Sequence, residues 1–171
     1  MRRLSFLFLI LLLCGATAAP AQGPPGDPFS ALRFLLGEWV PDSPASAPAG
    51  HFEFTSDVQG KVMIRRNHAD YPAAKPRPAV NHDDLMMFYR EGDVRAIYAD
   101  SEGHVIRYRM EAKAPGAVTF VSETVPGTPW FRLSYKKLPD GRLSGKLELA
   151  QPGTTKEFKT YLEWTAKRKA E

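Results

Sequence analysis

At 171 residues, 43% of them hydrophobic and 25% charged, the chain has the size of a single domain with a core of its own. Its formal net charge of +4 is spread along the sequence, which excludes the concentrated basic face of a nucleic-acid binder. A single cysteine excludes an internal disulfide framework.

Residues 1–21 read as a signal peptide for Sec-type export. Arg2 and Arg3 form a basic start, residues 6–13 are an apolar run too short to span a bilayer, and Ala16-Thr17-Ala18 and Ala19-Pro20-Ala21 are small-x-small cleavage sites. Cleavage after Ala21 is favoured, with Ala18 as the alternative, and places residues 22–171 in the periplasm or outside the cell. Cys14 lies inside the signal, so the mature protein carries no thiol. The alternative is a lipoprotein anchored on Cys14, although the bulky Leu13 before it departs from that pattern. No later apolar run approaches the roughly 18 residues a membrane helix needs.

The next stretch organises the rest. Asp27 can cap a helix, Pro28 suits its first position, and Phe29, Leu32, Leu35 and Leu36 form one apolar stripe. Gly37 can end the helix in the left-handed conformation, and Trp39 starts an extended segment that Pro41 stops. A short helix plugging a β-barrel is expected here; an ordinary surface helix on a sheet is the alternative.

Residues 41–50 are a Pro/Ala/Ser loop. Strands are expected over 51–55 and 61–68, joined by a tight turn at Val58-Gln59-Gly60. Residues 71–81 carry three prolines and read as a loop of about a dozen residues, either a lid or plain surface chain. Beyond it Gly92, Gly103, Gly116, Gly127, Gly141 and Gly153 recur 11 to 14 residues apart in turn-like clusters. Strands at such spacing signal an all-β sandwich or barrel. The segments between them, 85–90, 94–100, 104–112, 118–123, 130–137, 143–150 and 157–167, bring the count to about ten. Short connections make the arrangement an antiparallel up-and-down meander.

Strand side chains alternate between faces, which sorts the interior. Ile106, Tyr108 and Met110 share one face, as do Phe131, Leu133 and Tyr135, and Leu143, Gly145, Leu147 and Leu149. The last strand is expected to bury Phe158, Leu162 and Trp164. Segment 85–90 is apolar on both faces, so the N-terminal helix or a partner subunit should cover its outer side. If Val62 and Ile64 face in, so do Arg66 and His68, unless that strand frays past the rim. Tyr98 follows Val94 and Ala96, and His104 follows Ile106.

With these features the chain resembles the calycin superfamily of lipocalins, fatty-acid-binding proteins and nitrobindin-like domains, and a group of exported bacterial lipocalin-like proteins. The likeness rests on Phe34-Leu35-Leu36-Gly37-Glu38-Trp39, the ten-strand meander, and Lys167-Arg168-Lys169 after the last strand. It implies a barrel whose Gly37 and Trp39 seal one end, with Arg168 packed across the indole. Nitrobindin-like domains carry a late histidine haem ligand. No histidine lies beyond His104, and Val40-Pro41 follows Trp39, so haem binding by that route is not expected.

A ten-stranded barrel tends to enclose a cavity. The expected activity is therefore binding of a small apolar or amphipathic molecule, with an acidic head favoured by Arg66, His68, Tyr98, His104, Tyr108 and Tyr135. The alternatives are an enzyme using the same inward Arg, His and Tyr, or a structural envelope protein with a solid core. No cofactor or metal is expected. His82-Asp83-Asp84 is the densest ligand cluster, but neighbours on an extended segment point to opposite faces. No nucleophile elbow surrounds any serine, and no inward carboxylate pair is evident.

Overall fold

The computed structural model describes residues 26–42, 49–153 and 157–170. The expected export signal, its cleavage sites and Cys14 lie outside the described residues. Ten strands follow a short 3-10 helix, Ser30–Leu35. They are β1 Gly37–Pro41, β2 Ala49–Asp57, β3 Val62–Tyr71, β4 Val80–Glu91, β5 Asp93–Asp100, β6 Val105–Ala114, β7 Ala117–Ser122, β8 Trp130–Lys137, β9 Leu143–Ala150 and β10 Lys159–Arg168. Each strand pairs antiparallel with its sequence neighbour, and β1 pairs with β10, so the sheet closes into a barrel. Closure leaves no unpaired sheet edge.

The N-terminal helix differs from the amphipathic helix that the stripe suggests. It has 3-10 geometry, starts two residues later, at Ser30 rather than Pro28, and has Phe29 rather than Asp27 at its N-cap position. Asp27 acts one step earlier: its carboxylate accepts from the Phe29 N–H and pairs with Arg33. Phe29, Leu32 and Leu35 are buried in the core cluster. Their segment packs against β7 and not chiefly over β4. The outer apolar side of β4 is instead shared with its neighbours, since Ile64, Met87 and Ile97 line up across β3, β4 and β5.

The interior is built of rings. Phe54 meets Tyr135 edge-on at 5.5 Å, Phe88 lies 5.3 Å from Phe120, and Tyr135 meets Trp164 at 6.1 Å. Trp164 fits because its strand partner is Gly145, where any Cβ would collide with the indole. Such packing takes up part of the space that a barrel of this strand number could leave for a ligand. Two open surface pockets among the described residues, of about 400 Å³ and 270 Å³, lie elsewhere: one between the 3-10 helix and the β6–β7 hairpin, the other against β9 and β10.

Two local registers depart from the sequence reading. A three-residue turn at 58–60 would set Asp57 opposite Lys61 and Phe54 opposite Ile64. The turn has four residues instead: Asp57 pairs with Val62 and Phe54 with Arg65. A slip of one residue exchanges the two faces of a strand. Met63, Arg65 and Asn67 therefore point inward, and Arg66 is exposed. In β10 the register shifts between Thr160 and Leu162. Trp164 and Ala166 still turn inward, but Leu162 reaches the rim and is 46% exposed rather than buried.

The connection read as a loop over 71–81 is shorter than expected. β3 runs to Tyr71 and β4 starts at Val80, paired with it. Polar residues Asn81, His82, Asp83 and Asp84 are thus strand, although they lack apolar bulk. Their backbone groups are held by the ladder with β3, and the side chains of His82, Asp83 and Asp84 find partners at the barrel end.

Candidate functional site

The end of the barrel formed by the last turns of β3 and β5 and the first of β4 is polar. The alternation of β3 sends Arg65 and Asn67 inward, and that of β4 sends His82 and Asp84 to meet them. Asp84 accepts from Arg65 Nη1 through Oδ1 and from Asn67 Nδ2 at 2.9 Å through Oδ2. Its Oδ2 also lies 3.3 Å from His82 Nε2. Asp100 is the strand partner of Asp84 across β4 and β5. The two carboxylates are 4% and 5% exposed, an inward pair that no single strand reveals. Tyr98 bridges them to the histidine, donating to Asp100 Oδ2 at 3.1 Å with its oxygen 3.4 Å from His82 Nε2.

The β5–β6 turn continues the network outward. Asp100 Oδ1 accepts from the Glu102 and His104 backbone N–H groups at 3.1 and 2.8 Å, and Gly103 turns the chain with φ +88°. Only a residue without a Cβ takes that conformation at little cost. The turn sets Glu102 2.9 Å from His82 Nδ1 and His104 Nδ1 2.9 Å from Asp100 Oδ2.

Deeper in, the network stops short. Arg65 Nε and the Tyr135 hydroxyl are buried and have no hydrogen-bond partner. Burial opposes the guanidinium charge, but nearby Tyr135, Asp84, Tyr98 and Tyr108 outweigh it and raise the Arg65 pKa. Burial pushes the Tyr98, Tyr108 and Tyr135 hydroxyls up, so all three are donors under ordinary conditions. At the mouth, burial disfavours the His82 imidazolium, while its bonds to Glu102 and Asp84 more than compensate and raise its pKa. Asp100 is opposed by burial but held low by its His104 and Tyr98 bonds.

Of the residues that the sequence pointed to, Tyr98, Tyr108 and Tyr135 are brought together around Arg65. Arg66 is a correction: it is exposed on the opposite face, and Arg65 supplies the inward guanidinium. His68 is also turned outward, where it bonds Asp83 at 2.7 Å and lies 3.3 Å from Asp70, and the Asp83 bond raises its pKa. His104 sits on the turn, 67% exposed, and reaches the network through Asp100. At the N-terminal side of the sheet, Trp39 is fully buried, its indole donating to the Leu35 carbonyl at 2.7 Å. Arg168 stacks 4.5 Å from that ring and donates to the Leu36 carbonyl at 2.8 Å. Gly37, at φ +112°, faces the guanidinium where a Cβ would clash.

Sequence reasoning missed Arg65, Asn67, Asp100 and Glu102, and met His82 and Asp84 only as parts of one tripeptide. The signal that could have found them is the pairing of β2 with β3. Once the four-residue turn is set, Phe54 inward makes Arg65 inward, and β4 and β5 follow. In comparisons with known proteins, no protein-family model matches this chain, and neither does any curated protein.

Proposed function

We propose that this chain is an exported lipocalin-like barrel that binds a small molecule carrying an anionic or acceptor group at its polar end. In this reading the 3-10 helix, Trp39 and Arg168 plug one end, and the ligand enters at the other. The single observation that carries it is the pair of buried donors without partners, Arg65 Nε and the Tyr135 hydroxyl. A buried donor left unpaired costs about 1–3 kcal/mol, more for a charged group, so the site gains by accepting an oxygen from outside. The packed rings of the interior favour a short guest over a long acyl chain.

A titration of the protein with linear monocarboxylates of increasing chain length, and with their methyl esters, tests this through tryptophan fluorescence. Short acids should bind, their esters should bind less, and long chains should not enter. Arg65→Met and the gentler Arg65→Lys should lose the preference for acid over ester, whereas Arg66→Met, on the outer face, should keep it. A charge-assisted bond of about 1.5–3 kcal/mol corresponds to roughly ten- to a hundred-fold in affinity. Absence of binding by every acid would leave the solid-core structural reading standing.

A second reading, an enzyme on the same barrel, is favoured by one observation: Asp84 and Asp100 face each other with Tyr98 and His82 between them. Two carboxylates in different surroundings are the usual apparatus of acid–base chemistry. Substitution of Asp84 by Asn would then abolish turnover of a bound compound while leaving its binding measurable.

A further inference from the structure

His82, Asp100 and Glu102 converge at the mouth of the barrel from two directions, the first strand-turn of β4 and the β5–β6 turn. One ligand atom from each can be chosen so that all three lie within 4.8 Å of one another. His82 is part-buried and its side chain 22% exposed; that of Asp100 is 5% exposed, and that of Glu102 is 44% exposed. The outermost ligand is therefore the one free to move. Zinc bonds to nitrogen and carboxylate oxygen of about 2.0–2.2 Å place the ligand atoms of a tetrahedral shell about 3.3–3.6 Å apart. Side-chain shifts of about 1 Å bring these three to that spacing.

The charge at the mouth points the same way. Asp84 is taken up by Arg65 and Asn67. Asp100 and Glu102 have only histidines as cationic partners, His104 and His82, and among the described residues neither pairs with a lysine or arginine. The backbone bonds to Asp100 Oδ1 fix that carboxylate and leave Oδ2 to face His104 and Tyr98.

We propose that His82, Asp100 and Glu102 bind a divalent transition-metal ion of the zinc class. An imidazole with two carboxylates suits zinc, cobalt or manganese better than calcium, which takes six to eight oxygens. Tyr98 and Asp84 would then sit behind the ligands and orient them, as partners of this kind do around metal-bound histidine and carboxylate. The ligands are other groups than the Arg65 and Tyr135 donors, joined to Arg65 through Asp84, and zinc and acid titrations read the two sites separately.

The experiment is calorimetric titration of untagged protein with zinc chloride, alongside cobalt chloride followed by visible absorption. One zinc per chain is expected, with cobalt giving absorption bands of a nitrogen- and oxygen-ligated site. His82→Asn and Glu102→Gln should each weaken zinc by at least tenfold; Glu102 lies on an exposed turn, so its variant tests the site without threatening the fold. His68→Asn, on the outer face beside Asp83, should leave the affinity unchanged. Zinc that binds equally to parent, His82→Asn and Glu102→Gln would lie elsewhere and overturn the proposal. Failure of the parent to bind zinc at millimolar concentration would do the same, leaving the cluster as a set of ion pairs only.

Discussion

Arg132 and Glu148 face each other across β8 and β9 on the outside of the barrel, 2.7 Å apart, with the Phe158 ring 4.3 Å from the guanidinium. Lys146 adds a second contact to the same carboxylate at 3.1 Å. Glu148 is 6% exposed although the sequence places it on a solvent-facing position, because these neighbours cover it. The Arg132 bond, then Lys146, hold its pKa below the ordinary carboxylate range against the opposing effect of burial. A folded-state pKa below the unfolded value of about 4.3 means a contribution fully present above that pH. It is lost as pH falls through the folded-state value. Thermal melts between pH 7 and pH 3 should therefore show a steeper acid-side loss for the parent than for Glu148→Gln. Parallel profiles for the two would show that the pair is not coupled to folding.

The β2–β3 connection shows how much one turn can decide. Its 3-10 segment Val58–Gly60 is entered through Asp57, whose carboxylate accepts from the Val58 N–H, and is closed by Lys61 donating to the Val58 carbonyl. Val58 and Gln59 both take positive φ, 47° and 54°. For a β-branched residue that conformation is costly, on the order of 1–2 kcal/mol. Val58 is 61% exposed and returns little packing for it. Val58→Asn should therefore raise stability by about 1 kcal/mol, read from the midpoint of urea unfolding with unchanged slope. A variant no more stable than the parent would show the turn to be relaxed. The strain is confined to the turn, while its length sets the register of β3 and, through it, the inward side chains of β4 and β5.

Closure of the whole molecule passes through Trp39. β1 is five residues long and holds both β2 and β10, with Trp39 paired to Phe52 on one side and Arg168 on the other. The indole also ties the 3-10 helix to the sheet through Leu35. Trp39→Ala should cost about 3–5 kcal/mol, as deletion of a large buried aromatic does. Arg168→Ala should cost less, about 0.5–2 kcal/mol, because it removes a cation–π contact at a partly exposed site. Equilibrium unfolding of both variants checks the order; an Arg168→Ala loss equal to that of Trp39→Ala would make the guanidinium, not the indole, the element that closes the sheet.

The turn rhythm and the period-two alternation were enough to read ten antiparallel strands, because each strand's pattern is set by whether its own faces are wet or dry. The inward sets of β6 and β8 were legible for that reason, Tyr108 and Tyr135 among them. So was the contact of Trp39 with Arg168, through the resemblance that placed both. Strand β3 was not legible, since Val62-Met63-Ile64 is apolar on both faces and only the length of the preceding turn breaks the tie. The polar start of β4 was not legible either: residues 80–84 carry no hydrophobic alternation, and backbone pairing with β3 makes them strand. The carboxylate pair Asp84–Asp100 and the approach of Glu102 to His82 exist only across strands. Their meeting depends on register, which is a property of the closed sheet and of no single segment.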